Sequence, residues 1–422
     1  MTRSLGLFLL GAATMLFTPQ TSDAQGLDGN PPAAAPLSPS AESDAPGVVD
    51  RYRERYDSMK ERGLSFRLGS ILPGSSFSAG AELRRDRLFG TFMGASVAAA
   101  WSVRGYQQYD VRLGRIKGRE HRAELAAADA DVSSQFNDRS LLAFGTSIFA
   151  DVRQRISPRV DFFGLGQEST VEGRSDFNVR GSSVDLVAQW QRDKHFGASA
   201  RVGQLNLRLA PGRNAGVPDI AAMYSPRDAP GLDVQPRYIV IGGAVTLDFR
   251  DRPYLTSSGA LLSAALWHAD ARFTARPGLN WTRLVTDARY FHAVHGPHHV
   301  VAIRALVSSR VGAIEQATPF YLQPTLGGSK TLRGFGSYRL RGEAVWSTNF
   351  EYRWRVHKWV EVAPFIDAGA VASSFGDLAS ATPAGNPGLG LRVIGQSRVI
   401  GRIDLAHSRD GNRLSLTLST PF

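Results

Sequence analysis

From about Arg62 to its last residue the chain alternates apolar and polar positions in short runs separated by clusters of Gly, Pro, Asp and Asn. This is the period-2 pattern of successive β-strands. Val245, Leu247 and Phe249 alternate with Thr246, Asp248 and Arg250, and Phe350, Tyr352 and Trp354 alternate with Asn349, Glu351, Arg353 and Arg355. One face of each strand is apolar and the other is charged. A soluble sandwich also wets one face, so alternation alone does not decide. The number of strands and the aromatic residues near their ends favour an all-β, transmembrane antiparallel barrel with lipid outside and a polar lumen.

Fifteen strand candidates begin near Ser76, Thr91, Arg104, Ala143, Asp176, His195, Arg237, Leu261, Asn280, His298, Gly342, Trp359, Pro387, Ser397 and Arg413. A single-chain bacterial barrel closes with an even number and returns both termini to the periplasm, so one strand is missing from that set. Counting back from the C-terminus, short connections at 356–358, 294–297 and 193–195 fall on the periplasmic side, and long ones at 373–386, 313–341 and 209–236 fall outside. On that parity the stretch 117–142 is anomalously long, and the missing strand is expected within it, near Arg122 to Ser133.

The N-terminal segment reads differently. Arg3 precedes an apolar run from Leu5 to Phe17 and the small-residue site Ser22-Asp23-Ala24, so residues 1–24 are expected to be a secretory signal peptide. Residues 25–62 are expected to form a flexible periplasmic leader, because the Pro-, Ala- and Ser-rich part holds too few apolar groups to offset the entropy of ordering. Within it, Val49, Tyr52, Tyr56 and Met59 sit at helical spacing, predicting a short amphipathic helix over 48–62 that either caps a barrel mouth or lies on a surface. The barrel then occupies 63–422.

Composition narrows the chemistry. With no cysteine among 422 residues, disulfides, thiolate metal sites and cysteine nucleophiles are excluded. The net charge of +11 is spread along the chain rather than clustered, which argues against nucleic acid. Gly328-Ser329-Lys330-Thr331 lacks the Gly that a phosphate-binding loop places before its Lys, and His292, His295, His298 and His299 crowd a turn whose exposure accounts for them as well as a metal would. No cofactor and no enzyme chemistry is implied. The last strand carries Leu414, Leu416, Leu418 and Phe422 on one face, and its terminal aromatic suits a girdle at the periplasmic interface.

The most specific stretch is Gly327-Gly328-Ser329-Lys330-Thr331-Leu332-Arg333-Gly334-Phe335, followed by Glu351 and by Phe365-Ile366-Asp367-Ala368-Gly369. By parity Glu351, Asp367 and Gly369 face the lumen. Arg333 offers a planar fork that carboxylates accept in paired hydrogen bonds, and Gly334 lets the backbone turn beside them. An extracellular loop folded into the barrel and locked by Arg333 to Glu351 and Asp367 is therefore expected.

These segments, together with the turn Asp248-Phe249-Arg250-Asp251-Arg252-Pro253, resemble the BamA/TamA superfamily of outer-membrane assembly and translocation barrels, also called the bacterial surface antigen family. The resemblance covers roughly 75 to 422. It implies a barrel of about sixteen strands in the bacterial outer membrane. It further implies a C-terminal sorting signal formed by Phe422 with Leu418 and Leu416, which the barrel assembly machinery reads during biogenesis, and a role in inserting or translocating unfolded outer-membrane or secreted proteins. In such a barrel a weak seam between the first and last strands templates an incoming strand, and Gly395, Gly401 and Gly411 loosen pairing near it. The sequence departs from the family's assembly members in one respect: residues 25–75 are too short and too polar for a POTRA domain. The alternative expectation is a passive or gated pore whose lumen is lined by Arg353, Arg355, Arg398 and Arg402 and prefers anions.

Overall fold

A computed structural model describes residues 63–88, 91–115, 145–274, 278–312, 317–395 and 399–418. The signal peptide, leader, helix 48–62, Arg398 and Phe422 lie outside the described residues. Sixteen antiparallel strands form one sheet. They are β1 (Leu64–Gly69), β2 (Ser78–Arg85), β3 (Gly94–Ser102), β4 (Gln107–Arg115), β5 (Gly145–Phe162), β6 (Ser175–Gln191), β7 (Phe196–Pro211), β8 (Arg237–Asp248), β9 (Gly259–Arg272), β10 (Trp281–Ala293) and β11 (His299–Val311), followed by β14 (Ala344–His357), β15 (Val360–Ala372), β16 (Ala384–Ile394), β17 (Val399–Ser408) and β18 (Gly411–Thr417). Two short strands, β12 (Thr325–Leu326) and β13 (Leu340–Arg341), pair with each other inside the long connection between β11 and β14.

All fifteen expected strands form, each starting within three residues of its expected position. The sixteenth corrects the expectation of a hidden strand near Arg122 to Ser133. It is β1, at the N-terminal end, where Leu64, Phe66 and Leu68 alternate with Ser65, Arg67 and Gly69. Being only six residues long, β1 holds too few alternations to stand out in the sequence. Residues 116–144 connect β4 to β5 and lie outside the described residues.

Every strand pairs with its neighbour in chain order, and the even number returns the chain to its starting mouth. The other mouth carries the long connections 212–236 and 312–343 and is called here the loop mouth. Outward positions are apolar and exposed, among them Ile241, Val245, Leu262, Leu266, Phe350, Trp354, Leu391 and Leu405. So continuous an exposed apolar surface would be an aggregation hazard in water and is the natural lipid face of a membrane barrel. Inward positions hold the buried charges: Asp151, Asp185, Asp287, Glu351 and Asp367. The sheet has two free edges, since no ladder joins β1 to β18 among the described residues.

Near the loop mouth the lumen is filled by apolar side chains. Phe162, Phe177, Leu207, Tyr238 and Trp281 from the wall pack with Phe320, Tyr321 and Leu322, a one-turn 3-10 helix in the inward loop. Pro319 precedes that turn and Pro324 follows it, which limits it to a single turn.

Candidate functional site: a loop locked into the lumen

β14 presents Asn349, Glu351 and Arg353 to the lumen, β15 presents Phe365 and Asp367, and β16 presents Asn386 and Arg392, because residues two apart share a strand face. The loop from 317 to 343 enters the space between them. Arg333 is 2% exposed, and Glu351 and Asp367 are fully buried.

The Arg333 guanidinium grips Asp367 through two parallel bonds, Nε to Oδ2 at 2.9 Å and Nη2 to Oδ1 at 2.6 Å. Its backbone N–H adds a third bond to Oδ2 at 3.0 Å. The remaining arm, Nη1, donates to Glu351 Oε1 at 2.5 Å. Phe365 lies beneath the group, with its ring centre 3.4 Å from Cζ, so the face that carries no N–H is covered by an aromatic surface. Asp367 also accepts from Asn349 at 2.8 Å and Asn386 at 3.0 Å, while Asn349 donates to the carbonyl of Thr331 at 2.5 Å. A lysine has neither the fork nor the flat face for this seat.

Gly334 and Gly369 provide room. Gly334 lies in the turn closed by the Phe335 N–H on the Leu332 carbonyl at 3.0 Å, and since its φ lies outside the left-handed region its need there is for space. A Cβ at 334 would stand 2.6 Å from Asn386 Cβ, and one at 369 would stand 2.6 Å from the Trp346 carbonyl oxygen and 3.0 Å from Leu326. Phe335 is buried with Leu326, Leu332, Leu340, Val345 and Val371.

Of the basic residues expected to line a pore, Arg353, Arg355 and Arg402 are each held by an acid. Glu351 Oε2 accepts from Arg353 at 3.0 Å and from Arg392 at 2.5 Å, Arg392 also donates to Glu361 at 2.8 Å, and Arg355 stands 3.5 Å from Glu361. Arg402 is paired with Asp404 at 3.2 Å and donates to the carbonyl of Ser329. Arg333, Arg353, Arg355, Arg392 and Arg402 thus stand among Glu351, Glu361, Asp367 and Asp404, and the four carboxylates offset all but one of these positive charges. Leu416 and Leu418 are exposed on the outer face of the C-terminal segment.

Sequence reading missed Arg392, Asn386, Arg304, Tyr338 and Arg339. Arg304 donates to the carbonyl of Lys330 at 2.8 Å and is held by Asp287 at 2.9 Å. Tyr338 donates to the carbonyl of Pro73 in the β1–β2 connection at 3.0 Å, and Arg339 donates to Asp410 in the β17–β18 turn at 2.6 Å. The inward loop therefore holds both edge hairpins, although no ladder joins the edge strands among the described residues. Strand parity would have placed Arg392 and Arg304 in the lumen; nothing in the sequence marks Tyr338 or Arg339.

The turn at Asp248–Pro253 is ordered by its own side chains. Arg250 bonds Asp248 at 2.7 Å and the Pro253 carbonyl at 2.9 Å, and Asp251 accepts from the backbone N–H groups of Ser257 at 3.0 Å and Ser258 at 3.2 Å. Partial burial pushes the Asp251 carboxyl upward, but the Ser257 hydroxyl and these N–H groups outweigh it and hold the acid below its ordinary range.

Comparisons with known proteins place this architecture. The Omp85 superfamily domain matches residues 180–406. No curated protein sequence matches the chain. Among solved structures, BamA from Haemophilus ducreyi lacking POTRA domains 1-3 is similar at a TM-score of 0.55 and 13% identity, covering 84% of this chain and 69% of that one. CdiB from Escherichia coli is similar at a TM-score of 0.51 and 12% identity, covering 84% of this chain and 62% of that one. At such identities the likeness is one of fold.

Proposed function

Since the chain belongs to the Omp85 superfamily, as a barrel of the bacterial outer membrane, we propose that it inserts or translocates proteins there, without covalent chemistry. The single observation that carries this reading is the pair of sheet edges, β1 and β18, which no ladder joins among the described residues. An unpaired edge offers a row of backbone N–H and C=O groups to an incoming extended segment, which gains a ladder by adding to it. The β16–β17 register is also irregular between Val393 and Ile394, near Gly401, so the wall beside this edge is less regularly laddered.

In this mechanism the inward loop controls the edges. Arg333 anchors it to β14 and β15, while Tyr338 and Arg339 fasten it to the two edge hairpins. Its partners are lipid around the apolar band and an unfolded client at the edge. Arg353, Arg355 and Arg402 give less support to an anion-preferring pore, because each stands against a carboxylate, Glu351, Glu361 or Asp404, and little positive charge of this cluster is left over.

The test uses the absence of cysteine from the chain. Cysteine pairs scanned between Leu64–Gly69 and Gly411–Thr417 should trap the edges under oxidation and stop insertion of a model barrel client into vesicles, and reduction should restore it. Insertion that continues with the edges joined would overturn the reading. In planar bilayers the wild type should show small, flickering currents that change sharply in Arg333→Ala; a large, steady anion-selective current in both proteins would mean a pore.

A further inference from the structure

The exterior of β6–β9 breaks the apolar pattern of the lipid face near the loop mouth. Arg180 on β6 stands directly opposite Arg208 on β7, and Arg237 on β8 stands opposite Arg272 on β9. All four are exposed. Like charges placed opposite each other in a sheet oppose folding. Only Arg272 has an acidic partner among the described residues, Asp270; Arg180, Arg208 and Arg237 have none. Exposed Ser182 and Gln204 and half-buried Asn206 extend this polar face along β6 and β7. The exposed ring of Phe273 lies 6.0 Å from the Arg237 guanidinium.

The height of this patch identifies its surroundings. Trp190 lies ten residues beyond Arg180 on β6 and is exposed on the same face. At a rise of about 3.4 Å per residue and a tilt of about 40°, this is about 25 Å along the membrane normal, the depth of the apolar band. If Trp190 marks one interface, the arginines lie at the other. Between them the same face carries Val184, Leu186, Val202, Ile241 and Leu266.

We propose that the outer face of β6–β9 is a binding surface for phosphorylated lipid headgroups in the leaflet at the loop mouth. Phosphate oxygens accept from the guanidinium forks and remove the repulsion between the paired arginines, while Ser182, Gln204 and Asn206 suit the hydroxyls of a sugar-bearing headgroup. The proposal depends on the outer-membrane placement and not on any client activity, so it fails or stands apart from the edge mechanism.

Full-length protein is incubated in detergent with a bis-phosphorylated glycolipid or with the same lipid dephosphorylated, and bound lipid is counted by native mass spectrometry. The wild type should retain the phosphorylated form in preference, by about fivefold for each arginine engaged. Arg180→Gln/Arg208→Gln/Arg237→Gln should abolish the preference, and Arg85→Gln/Arg115→Gln, at exposed positions by the opposite mouth, should keep it. Equal retention of the two lipids by the wild type, which is the outcome if the patch instead receives an acidic protein, overturns the proposal without any variant having to fold. Loss of preference in the Arg85/Arg115 variant also overturns it.

Discussion

Arg392 on β16 donates from Nη2 to Glu351 Oε2 on β14 at 2.5 Å, reaching across the intervening strand β15 inside the lumen. Through this contact the loop anchor at Arg333 and the outlying acid Glu361 belong to one network, because Glu351 touches Arg333 and Arg392 touches Glu361. Arg392→Met should therefore leave Glu361 with only the more distant Arg355 and Glu351 short of one of its three arginines, and cost up to about 3–5 kcal/mol, the range for removal of one buried partner. The double variant Arg392→Met/Glu361→Gln should recover part of that loss in urea unfolding of the refolded barrel. A double variant whose loss equals the sum of the losses in Arg392→Met and Glu361→Gln would show that the two side chains are not coupled.

Arg333→Ala removes the loop's anchor and leaves Asp367 and Glu351 each short of a charged donor. A loss of about 3–5 kcal/mol is expected, with protease access to the segment around Lys330 and Thr331. Arg333→Lys should recover little of it, since the ammonium cannot make the forked contact with Asp367 or lie flat on Phe365. Limited proteolysis of the folded barrel compares the three proteins directly.

At Gly334 the added methyl of Ala would stand 2.6 Å from Asn386 Cβ and 3.0 Å from Ser408 Cβ. Overpacking of this kind costs about 1–3 kcal/mol. Gly336 has no atom of this kind within 3.4 Å of an added Cβ, so Gly336→Ala should be close to neutral. Similar melting temperatures for the two variants would contradict the steric account.

The Asp251 carboxyl is held below its ordinary range by Ser257 and Ser258, so it binds its proton less readily folded than unfolded. The sign follows: its contribution is complete above about pH 4, the unfolded range, and fades as pH falls through the lower folded value. Asp251→Asn should lower the melting temperature at pH 7, and the gap to wild type should narrow as the buffer is brought to about pH 3. A gap that stays constant would assign the turn's stability to other groups.

Much of this architecture can be read from single residues. The alternation of Phe350 and Trp354 with Glu351 and Arg353 sets the faces of β14, and the planar fork of Arg333 suits the carboxylates Glu351 and Asp367 that parity turns inward. β1 escaped because six residues give only three apolar positions. The pairing of the lumenal charges escapes for a different reason. Parity assigns a face to each side chain, but pairing of Arg402 with Asp404, or Arg392 with Glu351 two strands away, depends on register and tilt. Tyr338 and Arg339 act through a loop path that no periodicity encodes.

The fastening of the inward loop also dictates an order of events in folding. Its bonds to Pro73 and Asp410 span 265 and 71 residues of chain, and both ends of the sheet must be in place before the two can hold together. Loop closure over such separations comes late. Full protection of the loop from proteases during refolding should thus appear only after both edge hairpins have formed, making the seated loop a report, legible at the cell surface, that each end of the sheet has reached its place.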